Sequence, residues 1–436
     1  MRLGRRELLK LGVANAVLAG VPLNAKSEGL LAIRRAGPSV LQGATDETRA
    51  QFSIAHDAGL PLNVYAVKAD GSMLKPDAIY THGFQGHNTI VTKVYVSGLA
   101  LGQDYKLVLA HKQTGALIET RLFRALNLSK PNFRVGICSC MDDYRHDAQI
   151  WNDLAASAPD ILFFIGDAVY ADRKVTGPAD PAELWRRFCD ARATLEFYFL
   201  KRLIPVLATW DDHDFGHNNS GKEYPFVAES QKNFHIFFAQ DEGHSALAAR
   251  GPGVSQALRL GGQQFILADC RSYRLPKGST DRFAHWGREQ ETWILDLVRS
   301  HAGPSWVMNG SQIFPQTSFR ETMARQHAAN LAGFVAELKE LKKKVVFASG
   351  DVHYSEISRI KSEVLGYETY EITSSAVHSI APPGFPATAL NSMRIVGTSA
   401  NNFIVADTSA ASGRLELNVT SLGKNAKVRF NQKLSV

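Results

Sequence analysis

The apolar positions of this chain follow two different periods, and the change between them falls near residue 130. From about residue 50 to 130 they alternate in short runs, LNVYAVKAD, TIVTKVYVSGLAL, DYKLVLAHK and ALIETRLFRAL, with Gly, Asn and Asp between them. Alternation sends successive side chains to opposite faces of a strand, so this stretch predicts a small antiparallel β domain over residues 45–130. Its firmest element is a hairpin turning at Gln113 to Gly115. The segment NLSKPN breaks both periods at Pro131 and reads as a linker, which starts a second domain near Asn132 and carries it to residue 436.

Beyond the linker the apolar residues come in unbroken runs: FRVGICS, DILFFIGD, IPVLATWD, QQFILADC, SWVMNG and KKVVFASGD. Helical stretches such as AELWRRFCDARATLEFYFLKRL and REQETWILDLVRSH separate them. Buried strands alternating with helices predict an α/β sheet covered on both faces. The last run, FIVADTSAASGRLELNVTSLGKNAKVRF, returns to alternation and predicts an antiparallel finish.

Composition sharpens this picture only in part. With 436 residues, 45% hydrophobic and 21% charged, the chain is globular and long enough for a large core plus a smaller domain. The net charge of +7, from 49 basic and 42 acidic residues, is spread out, with LKKKVV the only dense run. That distribution describes a solvated surface rather than a nucleic-acid patch, and leaves a mild attraction for phosphorylated substrates. The four cysteines are too few for a disulfide scaffold of this size.

The N-terminus, MRLGRRELLKLG followed by VANAVLAGVPL, reads as a twin-arginine export signal over residues 1–28, with Arg5 and Arg6 in place and processing expected near Ala25. Export by the twin-arginine translocase predicts a periplasmic or secreted protein that folds before it crosses. Outside this segment no run reaches the ~18 to 20 apolar residues of a membrane span.

Candidate chemistry lies at the ends of the buried strands. ICSCMDD, GDAVYAD, WDDHD and SGDVH carry Cys140, Asp167, Tyr170, Asp211, Asp212, His213, Asp214, Asp351 and His353. One apolar run ending in Gly-Asp is an ordinary turn; four in series describe a metal site, gathered where strands end on one rim. Asp167, on a glycine turn, is the natural carboxylate to bridge two cations, and Tyr170 is within reach of the same place. Phenolate together with the Cys140 thiolate favours trivalent iron and leaves zinc open. His213 is the best candidate for work on a substrate, because imidazole titrates near neutral pH. Asp212 reads as a metal ligand and Asp214 as the residue holding His213. Asp351 and His353 project together after a buried strand and suit adjacent ions. For Asp211, His217 and Asn218 loop structure is an equal reading. For Arg271 and Arg274 a structural ion pair outweighs phosphate binding.

With these motifs in hand, the chain resembles the alkaline phosphatase D family, PhoD-like phosphatases and the related phospholipase D, within the calcineurin-like metallophosphoesterases. The resemblance rests on Ser139-Cys140, GDAVY, WDDHD, DCRSYR, WGREQETWI and SGDVH in that order, and covers nearly everything after the signal. It implies a fibronectin- or Ig-like β-sandwich before a catalytic domain of two packed sheets flanked by helices. It also implies iron held by Cys140, Asp167, Tyr170 and His353, calcium shared by Asp167, Asp212 and Asp351, and a catalytic His213. The implied activity is hydrolysis of phosphomonoesters by a metal-bound hydroxide, extending to phosphodiesters; a phospholipase D using the same metals, with a membrane lipid as substrate, is the alternative. A binding protein whose β domain carries the function is a third reading. Where many relatives of this superfamily supply a central histidine, this chain has NGSQIF, and Asn309 or Gln312 is left as the substitute.

Overall fold

A computed structural model describes residues 37–241, 248–317, 320–411 and 413–436. The twin-arginine segment lies outside the described residues, and among those residues no helix is long and apolar enough to cross a membrane.

The alternating N-terminal region forms two four-stranded antiparallel sheets. One orders Ser39–Thr45, Arg49–Asp57, Thr89–Ser97 and Ala78–His82; the other orders Met73–Leu74, Leu62–Val67, Asp104–His111 and Leu117–Arg124. The first sheet therefore includes a strand that begins before residue 45. The inward positions of both sheets, among them Phe52, Ile54, Val94, Leu107, Leu109 and Phe123, form one buried cluster, with the Phe52 and Phe123 rings 4.9 Å apart. The hairpin expected at Gln113 to Gly115 joins Asp104–His111 to Leu117–Arg124. A buried arginine of the second domain ties the two units together: Arg192 donates to Ser53 Oγ, to the carbonyls of Ser53 and Ser39, and to that of Phe237.

The unbroken apolar runs all become strands, and they divide between two sheets rather than sharing one. Asn132–Cys138, Ile161–Ile165 and Val206–Thr209 run parallel in a six-stranded sheet; Gln263–Leu267, Ser305–Asn309 and Val345–Ser349 run parallel in an eight-stranded sheet. The C-terminal strands Asn402–Ala411, Arg414–Gly423 and Lys427–Ser435 complete the first sheet through antiparallel pairing of Asn402–Ala411 with Asn132–Cys138. Ile137, Phe163 and Leu207 of one sheet and Phe265, Trp306 and Val346 of the other lie in a single buried cluster, and the Phe163 and Phe265 rings stack at 4.9 Å. This corrects the single sheet with helices on both faces. Each sheet turns one face to its partner, which explains runs apolar on every residue, and the other face to helices such as Pro181–Thr194 and Arg288–Ser300.

The packing sets the positions of the motifs. The ends of four strands, three from one sheet and one from the other, meet so closely that glycine is required: a Cβ on Gly166 would stand 2.7 Å from that of Asp211, and one on Gly350 would stand 2.6 Å from Ser139 Oγ. Cys140, Asp167, Asp211 and Asp351 each follow their strand by two residues, so one rim collects them all.

Candidate metal centre and active site

Ten non-glycine residues among those described have positive φ, and four of them are Cys140 (57°), Asp167 (53°), Asp351 (70°) and His353 (64°). Left-handed backbone at ordinary residues costs of order 1 kcal/mol or more each and persists where the surroundings enforce it. Here each strand leaves its sheet, turns sharply, and swings a donor back over the rim.

Those donors interlock. Ligand atoms of Cys140, Asp167 and His353 lie within 4.8 Å of one another, as do those of Asp167, Asp212 and His213, and those of Asp211, Asp212 and Asp351. Asp167 links the first set to the second and Asp212 the second to the third, so the site is continuous. Tyr170 joins it, with its hydroxyl 3.5 Å from Asp167 Oδ2 and its ring stacked on His213 at 4.4 Å. Ser375, which the motifs did not single out, organises the thiol side: its hydroxyl is 3.1 Å from Cys140 Sγ and accepts from the His353 backbone N–H at 2.8 Å.

The charge state of this cluster is abnormal. Burial pushes the Cys140 thiol up to about 12, and burial together with Cys140 lifts Asp167 well above the carboxylate range. Burial and the neighbouring Asp211 and Asp212 do the same to Asp351, and burial with Cys140 and Asp167 raises Tyr170. Asp167 Oδ1, Asp211 Oδ2 and Asp351 Oδ2 are buried without a hydrogen-bond partner. Buried carboxylate oxygens without a donor are costly, and cations are the groups that satisfy several at once. The donor set therefore fits metal. His353 fits too: burial takes its imidazole down to about 4, so it is neutral, and Nδ1 lies 3.1 Å from the Ile380 carbonyl, which leaves Nε2 as a free lone pair.

The WDDHD motif does not work as its sequence suggests. Asp214 does not hold His213. Its oxygens accept from the backbone N–H groups of Val169 (2.8 Å) and Asp211 (3.1 Å), tying the two metal-bearing loops together, and burial pushes it up to about 7. Asp172 holds the histidine instead, with Oδ1 2.7 Å from His213 Nδ1 and Oδ2 accepting from Asn218 N–H. Burial opposes the charged imidazole, yet Asp212, Asp167 and Asp172 together keep it protonated well above its ordinary range. Asp212 is fixed by N–H donors of His213 and Asn219. Burial raises its carboxyl, but His213 and Arg271 outweigh that and hold it below the usual range.

Asp211 is paired rather than loose: Arg271, wholly buried, lies 2.5 Å from Asp211 Oδ1 and 2.8 Å from Glu321 Oε2. Arg271 is thus the structural ion pair that DCRSYR suggested. Arg274 stands 3.1 Å from Glu321 and lines a cavity of about 640 Å³ that also takes in Asp212, His213, Lys277, Arg320, Asp351 and His353. Asn309 is occupied elsewhere, whereas Gln312 engages only its Nε2 and keeps Oε1 buried without a partner. Asn309 accepts from the Trp286 indole and donates to Ser311 O, while Gln312 donates to Glu356 and Thr373.

The region that carries these motifs has a counterpart among known families. The family model for PhoD-like phosphatase matches residues 135–427. The chain belongs to the PhoD-like phosphatase family. No match was found among curated proteins. For a PhoD-like phosphatase the matched region runs from within the first strand of the two-sheet domain to the start of its last strand, and so contains every donor described above. Membership supports a phosphatase-type hydrolase acting on phosphate esters, and the carboxylate and histidine clusters support metal binding.

Proposed function

We propose that this chain is an exported, metal-dependent phosphoric ester hydrolase that acts on phosphomonoesters and also accepts phosphodiesters. The observation that carries the reading is the continuous donor chain from Cys140 to Asp351, opening into a cavity walled by Arg274, Lys277 and Arg320. In this reading iron would be held by Cys140, Asp167, Tyr170 and His353, and calcium by Asp167, Asp212 and Asp351, with Asp211 adjoining the second position. Bound cations would supply Lewis acidity, lowering the pKa of an attacking water and screening the phosphoryl oxygens.

The chain's own residues do the rest. Arg274 and Arg320 draw the anionic ester into the cavity and orient it. His213, charged and held by Asp172, faces the same cavity and donates its proton to the departing alkoxide or stabilises the charge that builds on the phosphoryl oxygens. In this reading water attacks phosphorus directly and configuration inverts. The leader with Arg5 and Arg6 makes export part of the same proposal.

The test is the hydrolysis of p-nitrophenyl phosphate and its bis ester by protein exported through its own signal, with and without a chelator. Chelator-sensitive turnover with preference for the monoester is expected. Preference for the diester would shift the assignment to a phosphodiesterase, and hydrolysis of neither would overturn it.

A further inference from the structure

Beside the phosphate cavity lies a second concavity of about 710 Å³, lined by Pro382, Pro383, Ala387, Ala389 and Leu390 and by Arg320, which lines the first cavity as well. Its size falls within the range of small-molecule sites, about 300–1,000 Å³. The segment that builds it, SIAPPGFPATAL, is almost wholly apolar, yet Ile380 is 57% exposed and Leu390 is 71% exposed, the highest value among large hydrophobic residues in the described chain. Single exposed leucines are ordinary; a concave apolar wall that shares an arginine with a phosphate-sized cavity is not.

The wall is built to hold its shape. Phe385 packs on Tyr354 at 4.8 Å, and the Arg394 guanidinium covers the Phe385 ring and donates to Ala389 O at 2.5 Å. Thr388 Oγ1 donates to Pro383 O at 2.6 Å, and Pro382, Pro383 and Pro386 restrict the backbone of the segment. At the other end, the Ile380 carbonyl meets His353 Nδ1. The apolar surface is thus fastened directly to a residue of the catalytic rim, and binding there costs little ordering.

We propose that residues 380–390, with Arg320, form a leaving-group subsite that takes the apolar alcohol of the phosphate ester, so that the favoured substrates are esters of unbranched aliphatic alcohols. This rests on the phosphoesterase reading above. Arg320 meets the anionic phosphoryl end, and the proline loop covers the hydrocarbon that departs with the leaving oxygen. A substrate alcohol is favoured over a membrane surface as occupant because the apolar residues line a hollow that shares Arg320 with the charged cavity, whereas a bilayer is met by a convex face.

The experiment compares kcat/KM for phosphate release from ethyl, butyl and octyl phosphate by the metal-loaded full chain, below the concentrations at which octyl phosphate forms micelles. Calorimetric binding of octylphosphonate and ethylphosphonate is measured alongside. Each methylene withdrawn from water contributes at most about fourfold, so a partly open subsite is expected to favour octyl over ethyl by at least about tenfold, mostly through KM and with the same order in phosphonate affinity. Leu390→Asp is expected to bring that ratio to within about twofold of one, while Leu117→Asp, at a leucine 65% exposed in the N-terminal sandwich, keeps it. Equal kcat/KM across the series would overturn the subsite while leaving the phosphoesterase reading intact. A preference that appears only once micelles form would overturn it in favour of surface docking, and hydrolysis of none of the three would overturn the phosphoesterase reading as well.

Discussion

His213 Nδ1 lies 2.7 Å from Asp172 Oδ1, and Asp172 comes not from the histidine's own motif but from the loop that carries Asp167 and Tyr170. That contact fixes which ring nitrogen faces the cavity and stabilises the imidazolium. Asp172→Asn keeps the shape and an acceptor for Asn218 N–H but removes the charge. We expect kcat to fall roughly 100-fold, with KM and metal content within about twofold of wild type. Unchanged kcat would show that Asp172 serves the loop alone.

Asp167 belongs to two of the three donor sets, as Asp212 does, and its loss detaches Cys140 and His353 from the rest of the centre. Asp167→Ala is expected to lower bound metal, measured by elemental analysis, and to reduce turnover at least about 1,000-fold. Chelation of the wild type should reproduce the second effect and lower its unfolding midpoint. Metal present at 100 to 1,000 times its Kd stabilises the folded state by roughly 3–4 kcal/mol. Full metal content in the variant would contradict the ligand assignment.

Much of this is legible in the sequence because the signals are local. Runs apolar on every residue mark FFI and VVFA as strands buried on both faces, and the Gly-Asp turns after them mark the rim. What escapes is the partner of each element. Nothing in DILFFIGD or QQFILAD says that their strands belong to different sheets, since both faces are apolar in either arrangement. Adjacency suggests Asp214 as the support of His213, yet neighbours in a short turn point apart, and the support comes from Asp172 41 residues away. Ser375 and Glu321 leave no motif at all. Their roles depend on tertiary packing that brings SSAVHS against Cys140 and Glu321 against Arg271.

Arg271 stabilises the rim from behind, wholly buried between Asp211 and Glu321. Removing one member of a buried ionic cluster leaves uncompensated charge, so Arg271→Ala should destabilise the chain by about 3–5 kcal/mol in urea unfolding. Arg271→Lys keeps the charge but not the fork that meets two carboxylates, and should recover only part of that loss. If both variants unfold with the wild-type midpoint, the cluster carries no net stability.

His235 provides a pH dependence remote from the metal centre. It lies on the helix Val227–Phe237, with ring nitrogens 3.0 and 3.1 Å from Arg250 Nη2 and a backbone carbonyl that accepts from Lys93 Nζ. Burial takes its imidazole down to about 4; Arg250 and Lys93 add to this, and Asp241 opposes it. The folded state therefore binds fewer protons than the unfolded chain between about pH 4 and the ordinary histidine value near 6.5. The stability contributed by neutral His235 is fully present above pH 6.5 and is lost as pH falls toward 4. His235→Gln, which stays uncharged, should flatten the fall in urea midpoint across that window relative to wild type. An identical pH profile in the two proteins would mean that His235 protonates in the folded state without cost.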